Sequence, residues 1–285
     1  MIVIYNRQTK QNEVEKVYGE TTLKLFLTTR LIHFIARLPL LSRLFGWWQR
    51  QPWTARKIAP FIKKYGIDAS EFDNTFPSFD AFFSRPLKPN ARTFPKDPKT
   101  AIIPADGRYW FFPDLNHVPS LFVKGQHFDL PTLLQDRTLA HAYQNGSCVL
   151  GRLCPSDYHR FHFPCSGIPH HTKEIPGPLF PVNPLAVRQR LSILTENRRT
   201  LTPIDTDDFG TLLMIEIGAT CVGTIHQTFT PNTPIQRGAE KGYFSFGGSA
   251  LILLFPPQAI TFAPDLVNPS CEILCRFGEP LSFFG

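Results

Sequence analysis

An α+β fold is predicted, with a helical N-terminal region preceding a β-rich domain, and three observations predict it. Phe outnumbers Met by 26 to 2 and Pro reaches 27, a composition that favours short strands and rigid turns over long helices. One stretch near the N-terminus, Thr21 to Trp53, has helical periodicity. Beyond residue 100, short apolar runs bounded by turn residues dominate, which is the pattern of strands. With 42% hydrophobic and 19% charged residues among 285, the chain can bury one large core or two smaller ones.

The N-terminal stretch is amphipathic. At a helical angle of about 100° per residue, Leu23, Leu27, Leu31, Phe34, Ile35 and Leu38 share one face, and Thr22, Thr29, Arg30, His33 and Arg37 the other. Pro39 ends or kinks the helix, after which Leu40, Leu41, Leu44, Phe45, Trp47 and Trp48 continue the apolar supply beside Arg43 and Arg50. Lys24, Arg30, His33, Arg37 and Arg43 interrupt it too often for a spanning helix, which needs about 20 mostly apolar residues. Such a helix either lies on a bilayer or packs on the protein's own core, and the paired tryptophans and arginine face favour the bilayer.

Ile58 to Phe83 mixes helical spacing with Phe72, Phe76, Phe79, Phe82 and Phe83 and is read as a second helical subregion, closed by Pro86 and Pro89. Lys88 to Thr100 sets Pro89, Pro95 and Pro98 among charges, the composition of a linker. This divides the chain into a helical, membrane-associating region, 1–95, and a β-rich domain, 96–285. Strands are expected at Arg108 to Phe112, Ser147 to Leu153, Phe161 to Phe163, Leu212 to Ile217, Tyr243 to Phe246, Leu251 to Phe255 and Glu272 to Arg276. Pro256-Pro257 makes Leu251 to Ala263 read as strand, turn and strand.

The formal charge of +7 attracts polyanions. No arginine-rich block, zinc-finger or RNA-binding signature accompanies it, so an anionic membrane surface is the expected partner and nucleic acid is not. Six cysteines, at 148, 154, 165, 221, 271 and 275, form no CxxC pair, which suits a reducing compartment. Residues 1–10 carry no long apolar run and charges follow at Glu13 to Lys16, so a secretory signal is not expected and the protein is placed peripherally on the cytoplasmic face of a membrane. His170, His171, Cys154 and Cys165 suggest a metal site, but their spacing matches no standard zinc pattern. No metal is expected.

Three short segments place reactive side chains beside Gly or Pro. They are Pro104-Ala105-Asp106-Gly107, Asp157-Tyr158-His159-Arg160-Phe161-His162-Phe163-Pro164 and Phe246-Gly247-Gly248-Ser249-Ala250. Together they supply a carboxylate, two imidazoles and a hydroxyl, the parts of a nucleophile activated by an oriented base. Singly each has a plainer reading: Asp-Gly as a turn, Gly-Gly-Ser as a loop, HxxH as a surface pair or half a metal site.

The run Glu240 to Ser249 resembles the processing-site segment of the phosphatidylserine decarboxylase family, whose members cleave before the serine. Asp157 to Pro164 is similar to the family's histidine segment and Pro104 to Gly107 to its aspartate segment, in the same order. Ser78 to Arg85 with Leu87-Lys88-Pro89, Pro178 to Asn183 and Glu196 to Arg199 also look familial, so the resemblance spans roughly residues 75 to 255. Ala250 departs from it, standing where a hydroxyl residue is usual, and Glu196 to Arg199 matches only loosely.

The resemblance implies self-cleavage between Gly248 and Ser249, leaving 1–248 and the short fragment 249–285 as a heterodimer, with a homo-oligomer also possible. It implies a covalent pyruvoyl group made from Ser249, which accepts phosphatidylserine as a Schiff base and yields phosphatidylethanolamine and carbon dioxide. Decarboxylation needs an electron sink that no unmodified side chain supplies, and no pyridoxal-phosphate lysine site is visible. On this reading His162, oriented by Asp106, takes the Ser249 proton, and His159 returns a proton to carbon or serves as a structural hydrogen-bonding group. In a strand, His159 and His162 point to opposite faces, so only one is expected at Ser249. The rival readings are a Ser-His-Asp lipid hydrolase, against which the missing second glycine of a GxSxG elbow counts, and a noncatalytic β-rich membrane-binding module.

Overall fold

Strands β4 (Ser147–Leu153) and β12 (Ser249–Phe255) are buried at every residue and form the middle of the architecture seen in a computed structural model of the chain. The structure describes residues 2–15, 44, 46–115, 129–219, 224–245, 249–267 and 270–282, without the side chains of 188 and 189. The expected helix from Thr21 onward lies largely outside these residues, as do Gly247 and Gly248.

Among the described residues, ten strands make one sheet in the order β2-β1-β13-β3-β4-β12-β9-β8-β6, with β7 also paired to β8. These are β1 (Val3–Asn6), β2 (Gln11–Val14), β3 (Gly107–Phe112), β6 (Gly167–Pro169), β7 (Lys173–Ile175), β8 (Arg199–Thr206), β9 (Gly210–Gly218) and β13 (Glu272–Cys275), besides β4 and β12. All pairs are antiparallel except β1 with β13. A second sheet joins β10 (Ile225–Gln227), β11 (Glu240–Phe244) and β5 (Arg160–His162).

Side chains alternate across a strand, and in β12 that alternation divides two cores. Ala250, Ile252 and Leu254 enter a core shared with helices α3 (Leu130–Leu134), α4 (Arg137–Tyr143), α5 (Pro184–Gln189) and α6 (Ile193–Glu196). Leu251, Leu253 and Phe255 enter the opposite core with Phe161, Phe163 and Phe244, around the small sheet. Ser249 shares their parity and therefore faces the small sheet. The helices start where short polar side chains cap them, as Asp136 does by accepting from Leu139 N at 2.9 Å.

A third core gathers Phe61, Phe72, Phe79, Phe82 and Phe83 from helices α1 (Ile58–Tyr65) and α2 (Phe79–Phe83) and the chain between them. Gly66, left-handed at φ 65°, ends α1. Ser78 caps α2, and Thr54 Oγ1 accepts from Phe79 N at 2.9 Å, tying α2 to the 3₁₀ helix Pro52–Lys57.

The β-rich, mixed architecture agrees with the predicted class, and no described helix is long and apolar enough to cross a membrane. The N-terminus differs from the expectation. Residues 3–14, read as part of a helical region, form a hairpin whose β1 joins β13 in the large sheet. Its strands alternate too little to be seen as such, because a long-range partner holds them. Strands β6, β7, β8 and β10 likewise carry no local pattern, whereas β4 spans the predicted Ser147 to Leu153.

Candidate active site

Ser249 opens β12, with its backbone paired to Leu153 on one side and Gly218 on the other, and is fully buried. Its hydroxyl points to the imidazole of His159, with Oγ 3.5 Å from Nδ1. His159 sits just before β5, and its Nε2 lies 2.8 Å from the carbonyl oxygen of Cys154. A carbonyl only accepts, so Nε2 carries the proton and Nδ1 is left as an acceptor toward Ser249. Burial depresses the His159 pKa to about 3, against the opposing pull of Asp157, so the ring is neutral. Phe83 of α2 stacks on it, centroids 3.8 Å apart.

His162 is occupied differently. Its Nδ1 lies 3.0 Å from the carbonyl of Gly238 and its Nε2 2.9 Å from the hydroxyl of Tyr158. By the same logic Nδ1 donates to Gly238 and Nε2 accepts from Tyr158. Phe277 stacks on the ring at 3.8 Å, and burial lowers the pKa to about 4. Gly238 presents its carbonyl from a left-handed conformation, φ +83°, where a Cβ would meet the Phe94 ring at 2.5 Å.

Asp106 accepts from Arg92 Nη2 at 2.9 Å and from the Phe277 amide at 2.8 Å. Desolvation raises its pKa and the Arg92 guanidinium opposes the rise. Among the described residues it hydrogen-bonds neither histidine. The expected arrangement, His162 between Asp106 and Ser249, is therefore replaced: His159 meets Ser249, and Asp106 is anchored on the amide of Phe277, whose ring stacks on His162. The two histidines meet different partners, and it is His159 that lies against Ser249; β5 begins at Arg160, so His159 stands outside the strand whose alternation the expectation used. Gly248 lies outside the described residues. Cys154, whose thiol donates to Glu15 Oε1 at 2.9 Å, and His170, 2.7 Å from Asp205, face separate partners and do not converge.

Residues 79–281 match the model of the phosphatidylserine decarboxylase family. The chain belongs to that family. It is similar to the phosphatidylserine decarboxylase proenzymes of Chlamydia pneumoniae (43% identity, 97% of this chain and 95% of the relative) and Chlamydia muridarum (44%, with the same coverage). The counterpart from Chlamydia felis is 40% identical over 97% of this chain and 96% of its own. As a member of the phosphatidylserine decarboxylase family, the chain is a decarboxylase.

In this decarboxylase several groups at the site escaped the sequence reading. Phe83, Tyr158 and Cys154 lie in or beside recognised segments, but nothing in the pattern assigns them contacts. Arg92 and Phe277 carry no local signal at all. Phe277 meets Asp106 across 171 residues of chain.

Proposed function

We propose that the chain cuts itself before Ser249 and then converts phosphatidylserine to phosphatidylethanolamine and carbon dioxide. The observation that carries this is the buried Ser249 hydroxyl facing the unprotonated Nδ1 of His159. The 3.5 Å separation suits a resting site that tightens on reaction.

In processing, His159 Nδ1 takes the Ser249 hydroxyl proton while Oγ attacks the Gly248 carbonyl carbon. The Gly248–Ser249 peptide bond breaks and an ester forms, with the proton passing to the freed amine. Loss of the Ser249 Cα proton expels the Gly248 carboxylate and leaves dehydroalanine, which water hydrolyses with release of ammonia. A residue buried at the start of β12, between β4 and β9, suits the pyruvoyl group so formed, because the new chain end is held by its own strand. That group supplies the conjugated carbonyl that accepts electrons as carbon dioxide leaves. His159 remains as the imidazole nearest this end and returns a proton to carbon, so one ring serves both stages. Asp106 anchors Phe277, which with Tyr158 fixes His162 as a wall of the site.

Cleavage leaves the products interlocked: β12 lies between β4 and β9, and β13 between β3 and β1. The proposed setting is an anionic membrane at the cytoplasmic face. Exposed Leu44, Trp47, Trp48 and Trp53 stand beside exposed Arg50 and Arg56, and Lys57 Nζ lies 3.6 Å over the Trp48 ring. Replacing the three tryptophans with serine should weaken binding to phosphatidylserine-containing vesicles, and unchanged binding would remove this part.

The test of the central reading is mass spectrometry of the purified protein. Wild type should appear as two chains with Ser249 converted, and Ser249→Ala as one chain. An intact, active wild type with an unmodified serine would sink the proposal and favour a hydrolase.

A further inference from the structure

We propose that the N-terminal hairpin, residues 2–15, is a built-in clamp on the fragment that begins at Ser249, with Arg7 as its principal grip. The proposal rests on self-cleavage as read above.

The hairpin is organised on its own. Asn6 Oδ1 accepts from Gln8 N at 3.0 Å, Asn6 Nδ2 donates to Glu13 at 2.7 Å, and Lys10 takes a left-handed conformation (φ 56°) at the turn. Ile2 and Ile4 are buried. Through β1 and Arg7 the hairpin grips the fragment beyond the cleavage point, while Glu15 is held by Arg108, Arg152 and Cys154 of the large chain. β1 runs parallel to β13, pairing Ile4 with Glu272, Tyr5 with Ile273 and Asn6 with Leu274.

Arg7 continues the contact. Its amide donates to Leu274 O at 3.2 Å, Nε and Nη2 fork onto Asp265 at 2.7 and 2.9 Å, and Nη1 donates to Pro280 O at 2.7 Å, with Glu279 at 3.6 Å. Every one of these partners lies in 249–285. A bidentate guanidinium–carboxylate pair is the stronger and more directional class of ion pair. At the other end of the hairpin, Glu15 takes Arg152 Nη2 at 3.2 Å, and Arg152 in turn forks onto Glu272 at 2.6 and 2.7 Å.

The need for a clamp follows from the topology. In the uncut chain residues 249–285 are covalently joined to residue 248. After cleavage the short fragment is held by contacts alone, with β12 in mid-sheet and β13 pairing through three residues on β3. Without the hairpin β13 would be a short edge strand, the kind that frays first. Phe277, the platform for His162 and the anchor for Asp106, follows β13 by two residues. The clamp therefore keeps a wall of the site in place after the covalent link upstream is gone.

The experiment uses the full-length, processed protein. The processed complex is diluted serially, and fragment 249–285 remaining with the large chain is measured by size-exclusion chromatography with mass detection, for wild type, Arg7→Met and Arg7→Lys. Arg7→Met should cleave at the wild-type rate yet release the short fragment at about tenfold higher concentration, a readable shift in the dissociation constant. Arg7→Lys should recover only part, because lysine lacks the fork. If Arg7→Met fails to fold, Asp265→Asn removes the same grip from the half-exposed partner and should show the same release. Release at the wild-type concentration in the folded variants overturns the clamp and leaves self-cleavage standing, whereas a wild type that never splits overturns the reading beneath it.

Discussion

Ser249 Oγ stands 3.5 Å from His159 Nδ1 because the other nitrogen of that ring is committed to the carbonyl of Cys154. The proton on Nε2 is thereby fixed, and the free lone pair is aimed at the one hydroxyl that strand parity turns toward it.

From this contact, His159→Ala should slow appearance of fragment 249–285 by about 10²- to 10⁴-fold, the usual worth of a general base. His162→Ala should slow it far less, since both nitrogens of His162 are engaged by Tyr158 and Gly238. A time course of chain splitting on denaturing gels, run for both variants, checks the order; equal loss in both would reject the assignment to His159.

Acid should destabilise the fold through the same two rings. Folded pKa values of about 3 for His159 and about 4 for His162 lie below the ordinary value of 6.5, so between these limits the unfolded chain binds protons that the folded chain does not. Their contribution to stability is intact above pH about 6.5 and falls as pH drops from there toward the folded values. In the uncut Ser249→Ala background, the urea midpoint should drop from pH 7 to pH 5, and less so when His162 is replaced by Phe. An equal drop in both chains would count against buried neutral imidazoles.

Lys241 and Glu216 are both fully buried, with Nζ 2.9 Å from Oε1, and join β11 of the small sheet to β9 of the large one. Glu216 also accepts from Thr200 at 2.5 Å and from Gln227 at 3.0 Å. Replacing either alone strands a buried charge and should cost about 3–5 kcal/mol, while Lys241→Met with Glu216→Leu should fold with near wild-type stability. Chemical denaturation of the two single variants and the double variant decides it, and additive losses would be the contrary result.

Gly242 of β11 has no room for a side chain: a Cβ would lie 2.0 Å from the His226 carbonyl oxygen and 2.8 Å from the Phe161 ring. Gly242→Ala should therefore push β11 from β10 and cost about 1–3 kcal/mol, read as a lowered melting temperature. An unchanged melting temperature would mean the small sheet yields more easily than its packing implies.

Legibility followed the range of the interaction. β4 could be read from Ser147 to Leu153 because the apolar run Cys148, Val149 and Leu150, closed by Leu153, is a local signal. Residues 3–14 could not, because their strand character comes from β13, at the far end of the chain. The serine, both histidines and Asp106 were visible as chemically able residues in turn-bordered segments, but Phe277 and Arg92 were not, since neither sits in a pattern that announces a role.

By itself, the sequence determined the class of fold, the family and the set of reactive side chains, all of which depend on composition and short motifs. It also raised the expectation that only one of two histidines spaced three apart faces Ser249. Which one was decided by tertiary structure alone: β5 starts one residue after His159, the Cys154 carbonyl captures its Nε2, and Tyr158 with Gly238 claims both nitrogens of His162. The physical reason is that alternation specifies relative direction along a strand, whereas the partner each face meets depends on how the two sheets pack.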